Sequence, residues 1–91
     1  MGVPGIERHW TARGPRGATT IVFIHATRLT RAQWLPQLRR LSDTYRCVAI
    51  DLPGHGTRAD EPFSIPAATS AVAAAIDAEA ASGRAVIVGL S

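Results

Sequence analysis

The chain has 91 residues, of which 46% are hydrophobic and 19% are charged, and its formal net charge is +3. This composition is typical of one small globular domain and excludes an intrinsically disordered chain. No run of about 18 apolar residues is present, and the N-terminal segment lacks the apolar core of a secretory signal. We therefore expect a cytoplasmic protein without a membrane span.

The positive charge raises nucleic acid as a partner, because a basic face is the usual footprint of nucleic-acid-binding proteins. All ten basic residues are arginines, however, and only Arg39 and Arg40 are adjacent in the chain. Few aromatic side chains stand near them to stack on bases, so we expect solvated surface and no nucleic acid partner. A basic binding module stays an alternative that rests on charge alone, and tight salt-dependent binding would support it.

Metal-ligating and redox-active residue types are sparse. The single cysteine, Cys47, excludes an internal disulfide and lies in a buried-strand pattern typical of a small core residue. The three histidines are far apart in the chain and lack the spacing of a metal site. The segment Gly54-His55-Gly56 lacks the third glycine and the immediate helix of a phosphate-binding loop. We expect no metal and no cofactor.

The first part of the chain predicts two strands. Residues 7–13 suit a short edge strand that is closed by the turn residues at positions 14–17. Residues 19–24 read Thr-Thr-Ile-Val-Phe-Ile and are almost continuously apolar. A run of this kind, too short for a helix, indicates a strand that is covered on both faces.

A helix is predicted next. Its apolar residues recur at helical spacing: Trp34, Leu38 and Leu41. Pro36 cannot donate a backbone hydrogen bond, so we place it in the first turn and begin the regular helix at about Trp34. Thr30 and Gln33 resemble a capping box that would close the helix start.

The second part of the chain predicts a strand, a tight loop and a longer helix. The strand covers Arg46–Ile50, and the loop at residues 52–56 contains glycines suited to conformations that other residues resist. Ser64 is suited to cap a helix over residues 65–81, with Pro66 tolerated in its first turn. The predicted apolar stripe of this helix is Ile65, Ala68, Val72, Ile76 and Ala80.

Gly83 ends that helix, and residues 85–88 form a third central strand. This order predicts an α/β fold with three mostly parallel central strands, two right-handed crossover helices and the short N-terminal edge strand. Sites in such open sheets lie beyond the carboxyl ends of the strands. Three polar segments follow these ends and are expected in one crevice: His25-Ala26-Thr27, Asp51-Leu52-Pro53 and Gly89-Leu90-Ser91.

The chain resembles the N-terminal part of an α/β-hydrolase-fold enzyme with a serine nucleophile. The resemblance covers nearly the whole chain, so residues 1–91 are interpreted as part of a single α/β-hydrolase domain. Its final segment matches the first half of the G-x-S-x-G nucleophile elbow, a sharp strand-to-helix turn that exposes a serine hydroxyl. Three segments carry the resemblance: His25-Ala26 with Thr30 and Trp34 behind it, Asp51 to Gly56, and Val88-Gly89-Leu90-Ser91.

The resemblance implies that Ser91 is the nucleophile, acting on a small-molecule ester, lactone or thioester. It also implies a backbone oxyanion donor in the Ala26-Thr27 region, most directly Thr27, with His25 shaping that loop. Ala26 stands where the family usually has glycine, so an added methyl group would affect this loop. Structural roles in the turns are implied for Asp51, Pro53, Gly54, Gly56 and Gly89.

Position along the chain limits the remaining roles. The triad acid and histidine follow the serine in this family, whereas His25, His55 and Asp51 precede Ser91, so we expect structural roles for these three. The second oxyanion donor would also follow Ser91. We therefore expect the 91-residue chain alone to be inactive and to expose an unpaired hydrophobic sheet edge that favours aggregation.

Alternatives stay open at this point. The chain is also consistent with a non-catalytic remnant of a hydrolase. The parent enzyme is equally consistent with a cofactor-free haloperoxidase, a carbon–carbon bond hydrolase or an acyltransferase of the same fold. A serine at the elbow, where other members have aspartate, opposes haloalkane dehalogenase and epoxide hydrolase chemistry. The sequence leaves substrate identity and oligomeric state open.

Overall fold

A computed structural model describes residues 9–90 of the chain. Residues 1–8 and Ser91 lie outside the described part, so the N-terminal edge strand predicted over residues 7–13 is tested only from residue 9 onwards. One mixed sheet holds four strands: β1 (Trp10–Arg13), β2 (Thr20–Ile24), β3 (Arg46–Ile50) and β4 (Ala85–Gly89). Their order in the sheet is β1-β3-β2-β4.

Strand pairing confirms the predicted topology. β2 lies parallel to both β3 and β4, and its Val22 pairs with Val48 on one side and Ile87 on the other. β1 pairs antiparallel with β3, with Trp10 opposite Ile50. The carboxyl ends of β2, β3 and β4 therefore lie along one edge of the sheet, as the predicted crossovers require.

The first helical segment begins with a short 3₁₀ helix (Arg31–Trp34) that continues as α1 (Leu35–Leu41), with Pro36 in the first turn as predicted. Half of the predicted capping box is present, because the Thr30 hydroxyl accepts a hydrogen bond from the Ala32 N–H at 3.2 Å. The other half of the predicted capping box is wrong. The Gln33 side chain does not return to Thr30 but reaches the Ala26 N–H at 2.9 Å, so a tertiary contact replaces the local one.

The second helix, α2 (Ile65–Glu79), begins where the Ser64 hydroxyl accepts a hydrogen bond from the Ala67 N–H at 3.1 Å, as expected for an N-cap. It ends two residues before the predicted position, because Ala80 adopts an extended backbone. Gly83, with a φ of +75°, then carries the chain round towards β4, and its N–H donates to the Ala80 carbonyl.

The predicted apolar stripe of α2 is confirmed in part, because Val72 and Ile76 pack against the core and Ala80 is buried. Ile65 is 69% exposed, whereas Ala71 and Ala75 are buried. Small side chains on this face allow the helix to lie close to the sheet, where Ala75 packs in one cluster with Trp10, Val22, Val48 and Ile50. Periodicity identifies the helix and part of its inward face, but it does not single out the small buried side chains Ala71 and Ala75.

The other face of the sheet carries α1. Phe23 and Trp34 pack with ring centroids 5.0 Å apart, and the same cluster contains Leu38, Cys47 and Ala49. Burial raises the pKa of the Cys47 thiol, against a smaller lowering effect of the Arg46 charge. The thiol is therefore a core group, as predicted.

β4 forms one edge of the sheet within residues 9–90. Val86 and Ile87 point to opposite faces and are 52% and 53% exposed. This is the exposed hydrophobic edge expected from the sequence, and aggregation through it stays a prediction. No helix among the described residues has the length and apolar character needed to cross a membrane.

A carboxylate ties together three elements near the amino ends of the parallel strands. Glu79, at the end of α2, accepts hydrogen bonds from the Trp10 indole at 2.9 Å and from the Arg46 guanidinium at 2.6 Å. Burial would raise the pKa of Glu79, but these two hydrogen bonds and the charges of Arg46 and Arg16 outweigh burial and lower it. The ionised form therefore stabilises the fold.

Glu79→Gln is expected to lower the free energy of unfolding by about 1–2 kcal/mol at neutral pH, because it leaves the Arg46 guanidinium without its charged partner. The pKa of Glu79 is lower in the folded chain, so its contribution is complete above its ordinary value of 4.5 and is lost as the pH falls below it. Urea denaturation from pH 7 to pH 3 should show the wild-type and variant stabilities converging. Asp77→Asn, an exposed change on the same helix, is the control, and an equal effect of both changes would contradict the role of Glu79.

Candidate functional site

A cavity of about 420 Å³ opens at the carboxyl ends of the parallel strands, where the sequence predicts a crevice. Leu90, the residue before Ser91, lines it, and the Leu90 N–H donates to the Ile24 carbonyl at 3.3 Å. Ser91 itself lies outside the described residues. The carboxyl-end cavity is lined by Ile24, His25, Thr27, Leu52, His55, Phe63 and Leu90.

His25 joins the two loops that follow β2 and β3. Its Nε2 accepts a hydrogen bond from the Leu52 N–H at 3.1 Å, which places the ring proton on Nδ1. Nδ1 donates to the Ala26 carbonyl at 2.9 Å, and only 2% of the residue is exposed. Both ring nitrogens are thus occupied by backbone groups, which supports the expected structural role.

The loop after β2 is a tight turn. The Leu29 N–H donates to the Ala26 carbonyl at 3.0 Å, and Arg28, the third residue of the turn, has a φ of +70°. A positive φ at this position alone is the signature of a type II turn, where glycine or asparagine is usual. Arginine in this conformation costs about 1–2 kcal/mol, so the turn depends on neighbouring contacts.

Thr27, the second residue of this turn, carries the predicted oxyanion donor. In a β-turn only the fourth N–H bonds to the first carbonyl, so the N–H of the second residue is not used by the turn. Among residues 9–90, no hydrogen bond involves the Thr27 N–H. Because Thr27 also lines the cavity, its position is compatible with the predicted role.

The loop after β3 is organised around Asp51, which is 2% exposed. Its Oδ1 accepts a hydrogen bond from the Arg31 N–H at 2.9 Å, and its Oδ2 accepts from the Thr57 N–H and hydroxyl at 3.1 and 2.9 Å. The Arg31 Nε lies 3.6 Å from Oδ2. Burial would raise the pKa of Asp51, but these hydrogen bonds and the Arg31 charge lower it overall.

Glycine at position 56 is required by the same carboxylate. A Cβ atom placed on Gly56 would lie 2.6 Å from the Asp51 carboxylate, and the φ of Gly56 is +53°. Gly54 also has a positive φ, of +82°, and Pro53 is fully buried beside it. Gly56 therefore packs against Asp51, whereas a Cβ atom on Gly54 would face Glu61 and Phe63 instead.

The sequence also implies a structural role for Gly89, but its surroundings do not require glycine. A Cβ atom on it would lie 3.8 Å from the Cβ of Ile24, which is an ordinary contact. Nothing among the described residues therefore excludes a side chain at position 89. Its role at the predicted elbow stays a prediction.

His55 and Phe63 form the opposite wall of the cavity. The His55 Nδ1 lies 3.0 Å from the Pro53 carbonyl, which can only accept a hydrogen bond, and the His55 ring packs 4.8 Å from the ring of His25. Phe63 meets His55 edge-on, with centroids 6.1 Å apart. His55 thus braces its turn, as expected, whereas Phe63 was not singled out by the sequence.

The cavity brings together His25, Thr27 and the chain that leads into Ser91, whereas Asp51 is not among its lining residues and anchors its loops. Sequence reasoning missed three contributors: Thr57 as a partner of Asp51, Gln33 as a partner of Ala26, and Phe63 as a wall residue. Within residues 9–90, no three histidine, cysteine, aspartate or glutamate side chains are grouped so that they could hold a metal ion.

Comparison with known proteins points to one family. A family model described as "Alpha/beta hydrolase family" matches residues 21–91. A pimeloyl-[acyl-carrier protein] methyl ester esterase from Stenotrophomonas maltophilia is 37% identical over 67 residues, which are 71% of this chain and 24% of that protein. The epoxide hydrolase 4 of Mus musculus is 36% identical over 52 residues, which are 57% of this chain and 14% of that protein.

Two further similarities likewise cover a small part of each relative. The dihydrolipoyllysine-residue acetyltransferase component of the acetoin cleaving system of Cupriavidus necator is 44% identical over 54 residues, 59% of this chain and 14% of that protein. A solved structure, described under novel epoxide hydrolases belonging to the alpha/beta hydrolases superfamily in metagenomes from hot environments, is 33% identical with a TM-score of 0.48. That match covers 50% of this chain and 15% of the solved one. The chain thus spans 14–24% of the length of these curated relatives.

Gly56→Ala is expected to lower the free energy of unfolding by about 2–4 kcal/mol, because the new methyl group meets the Asp51 carboxylate at a positive φ. Gly17→Ala is the matched control, since a Cβ atom there has nothing within 4 Å, and we expect a change within about 0.5 kcal/mol. Urea denaturation followed by tryptophan fluorescence measures both. Equal stability of the two variants would show that the Asp51 carboxylate is not confined by its loop.

Proposed function

Because this chain belongs to the alpha/beta hydrolase family, we propose that it carries the nucleophile and one oxyanion donor of a serine hydrolase. The proposed substrates are small-molecule esters, thioesters or lactones, which would be cleaved through an acyl-enzyme. The observation that carries the proposal is the Thr27 N–H, which forms no hydrogen bond among residues 9–90 and belongs to the same cavity as Leu90, next to Ser91.

In the proposed reaction, the Ser91 hydroxyl oxygen attacks the acyl carbon and its proton passes to a histidine base. The carbonyl oxygen becomes an oxyanion, which accepts hydrogen bonds from the Thr27 N–H and from the residue after the nucleophile. Collapse expels the alcohol or thiol, which takes the proton from the histidine. Water then attacks the acyl-enzyme by the same route and releases the acid.

The base in this proposal is not one of the described histidines. His25 is buried with both ring nitrogens bonded to backbone groups, and the His55 Nδ1 lies against the Pro53 carbonyl. In this family the histidine and its acid follow the nucleophile in the chain. A polypeptide of these 91 residues alone is therefore expected to show no turnover.

The cavity supports the choice of small acyl substrates. Four of its seven lining residues are apolar, and about 420 Å³ suits a small molecule and not a folded partner. Serine at position 91 favours acyl chemistry, since the hydroxyl forms an ester intermediate that water can cleave. The esterase among the relatives agrees with this choice, and the serine separates the proposal from epoxide opening.

Ser91→Ala, in the complete protein that contains this sequence, is expected to lower kcat for p-nitrophenyl acetate and butyrate by about 10³-fold or more. The wild type should be labelled at Ser91 by a fluorophosphonate, which mass spectrometry of the modified peptide detects. Ser70→Ala, on the exposed face of α2, is the control and should retain full activity and labelling. Hydrolysis that is unchanged in Ser91→Ala, or a wild type without esterase activity and labelling, would overturn the proposal.

A further inference from the structure

Gln33 makes a contact that the proposed mechanism has not used. Its Oε1 accepts a hydrogen bond from the Ala26 N–H at 2.9 Å, across seven residues of chain. The 3₁₀ helix that carries Gln33 is anchored on both sides. The Arg31 N–H bonds to Asp51, and Trp34 is buried against Phe23. Gln33 is thus a fixed acceptor directed at the loop after β2.

This contact and its neighbours fix two consecutive peptide groups. Gln33 binds the N–H of the peptide that joins His25 and Ala26. The next peptide, between Ala26 and Thr27, is held by its carbonyl, which accepts from the His25 Nδ1 and the Leu29 N–H. A trans peptide is planar, so its N–H points opposite to its carbonyl. Fixing the Ala26 carbonyl therefore fixes the direction of the Thr27 N–H.

The two fixed planes also define the backbone at Ala26, because its φ and ψ are the only soft rotations between them. Ala26 does not have a positive φ, so its methyl group fits the conformation that the loop adopts. Alanine in place of the usual glycine narrows the accessible conformations of the loop. Gln33 further restricts the loop by holding the Ala26 N–H, and His25 does so by holding the Ala26 carbonyl.

We propose that Gln33 is a positioning residue for the oxyanion hole, which it serves by orienting the Ala26–Thr27 segment through the Ala26 N–H. The inference rests on the proposed function, since it concerns the same Thr27 donor. Gln33 does not touch the reacting atoms. Its loss would leave the Ala26 N–H unpaired and free the first of the two peptide planes, so that the Ala26–Thr27 segment could shift and move the Thr27 N–H away from the oxyanion.

Three variants of the complete protein test this. Gln33→Met keeps the length of the side chain and removes the oxygen acceptor, whereas Gln33→Glu keeps an acceptor at the same reach. Gln37→Met makes the same chemical change at an exposed position on α1 and is the control. With p-nitrophenyl butyrate, Gln33→Met should lower kcat by about 10–100-fold with little change in KM, below the effect of removing a donor outright.

Gln33→Glu should stay within about 5-fold of the wild-type kcat, and Gln37→Met should match the wild type. A boronic acid inhibitor, which imitates the tetrahedral intermediate, should bind Gln33→Met more weakly by the same factor as the loss in kcat/KM. A carboxylate product should bind all variants equally. Amide hydrogen exchange at Ala26 should be faster in Gln33→Met and unchanged in Gln33→Glu.

Two outcomes would overturn the inference while leaving the function in place. In one, Gln33→Met retains the wild-type kcat in an active esterase. In the other, Gln33→Glu loses as much kcat as Gln33→Met, which would indicate a structural requirement for glutamine. If Gln33→Met is not recovered folded, Gln33→Asn applies the same criteria, because its amide is one methylene too short to reach Ala26. A wild type without esterase activity would instead overturn the proposed function, whereas unchanged Ala26 exchange would overturn the Gln33 contact.

Discussion

The buried carboxylate of Asp51 is the constraint on which the carboxyl-end loops depend. It follows β3 directly, yet its partners come from the 3₁₀ helix after β2 and from the turn that contains Thr57. An ionised group this buried is tolerated only because each oxygen accepts hydrogen bonds and the Arg31 charge lies close by. Removing the carboxylate would free the Arg31 backbone and Thr57 together, since among residues 9–90 both are bonded to it.

From this anchor the cavity is built in steps. Asp51 holds the Arg31 backbone, which carries Gln33 in the next turn of the chain. Gln33 and His25 then hold the loop after β2 from two sides, and the Leu52 N–H ties His25 back to the loop after β3. These contacts form a closed ring, because Leu52 is the residue next to Asp51 in the chain. The loops at the site thus gain from one another the rigidity that surface loops ordinarily lack.

The sequence predicts the parts of this fold that depend on local pattern. Apolar runs such as residues 47–50 identify the strands, and Ser64 with Pro66 identifies the start of α2. The sequence does not predict the hydrogen-bond partner of Gln33. A capping rule considers only neighbours within one helical turn, whereas Ala26 lies seven residues earlier and is brought near Gln33 by the fold of the loop after β2. The buried face of α2 is predicted in part, since Val72, Ile76 and Ala80 lie towards the core, whereas the buried Ala71 and Ala75 are not singled out. Ile65 also fits the apolar period, but it lies at the first turn of the helix and is 69% exposed.

Charge at this end of the sheet bears on the proposed chemistry. A carboxylate close to a reaction that develops an oxyanion would oppose it, unless its charge were balanced elsewhere. Asp51 meets this condition, because three hydrogen bonds engage both of its oxygens, the Arg31 guanidinium lies close by, and the carboxylate does not line the cavity. The groups that line the cavity are then apolar side chains, two histidines and Thr27 with its unused N–H. The buried anion organises the loops, and the proposed chemistry then depends on the Thr27 N–H as the donor that an oxyanion requires.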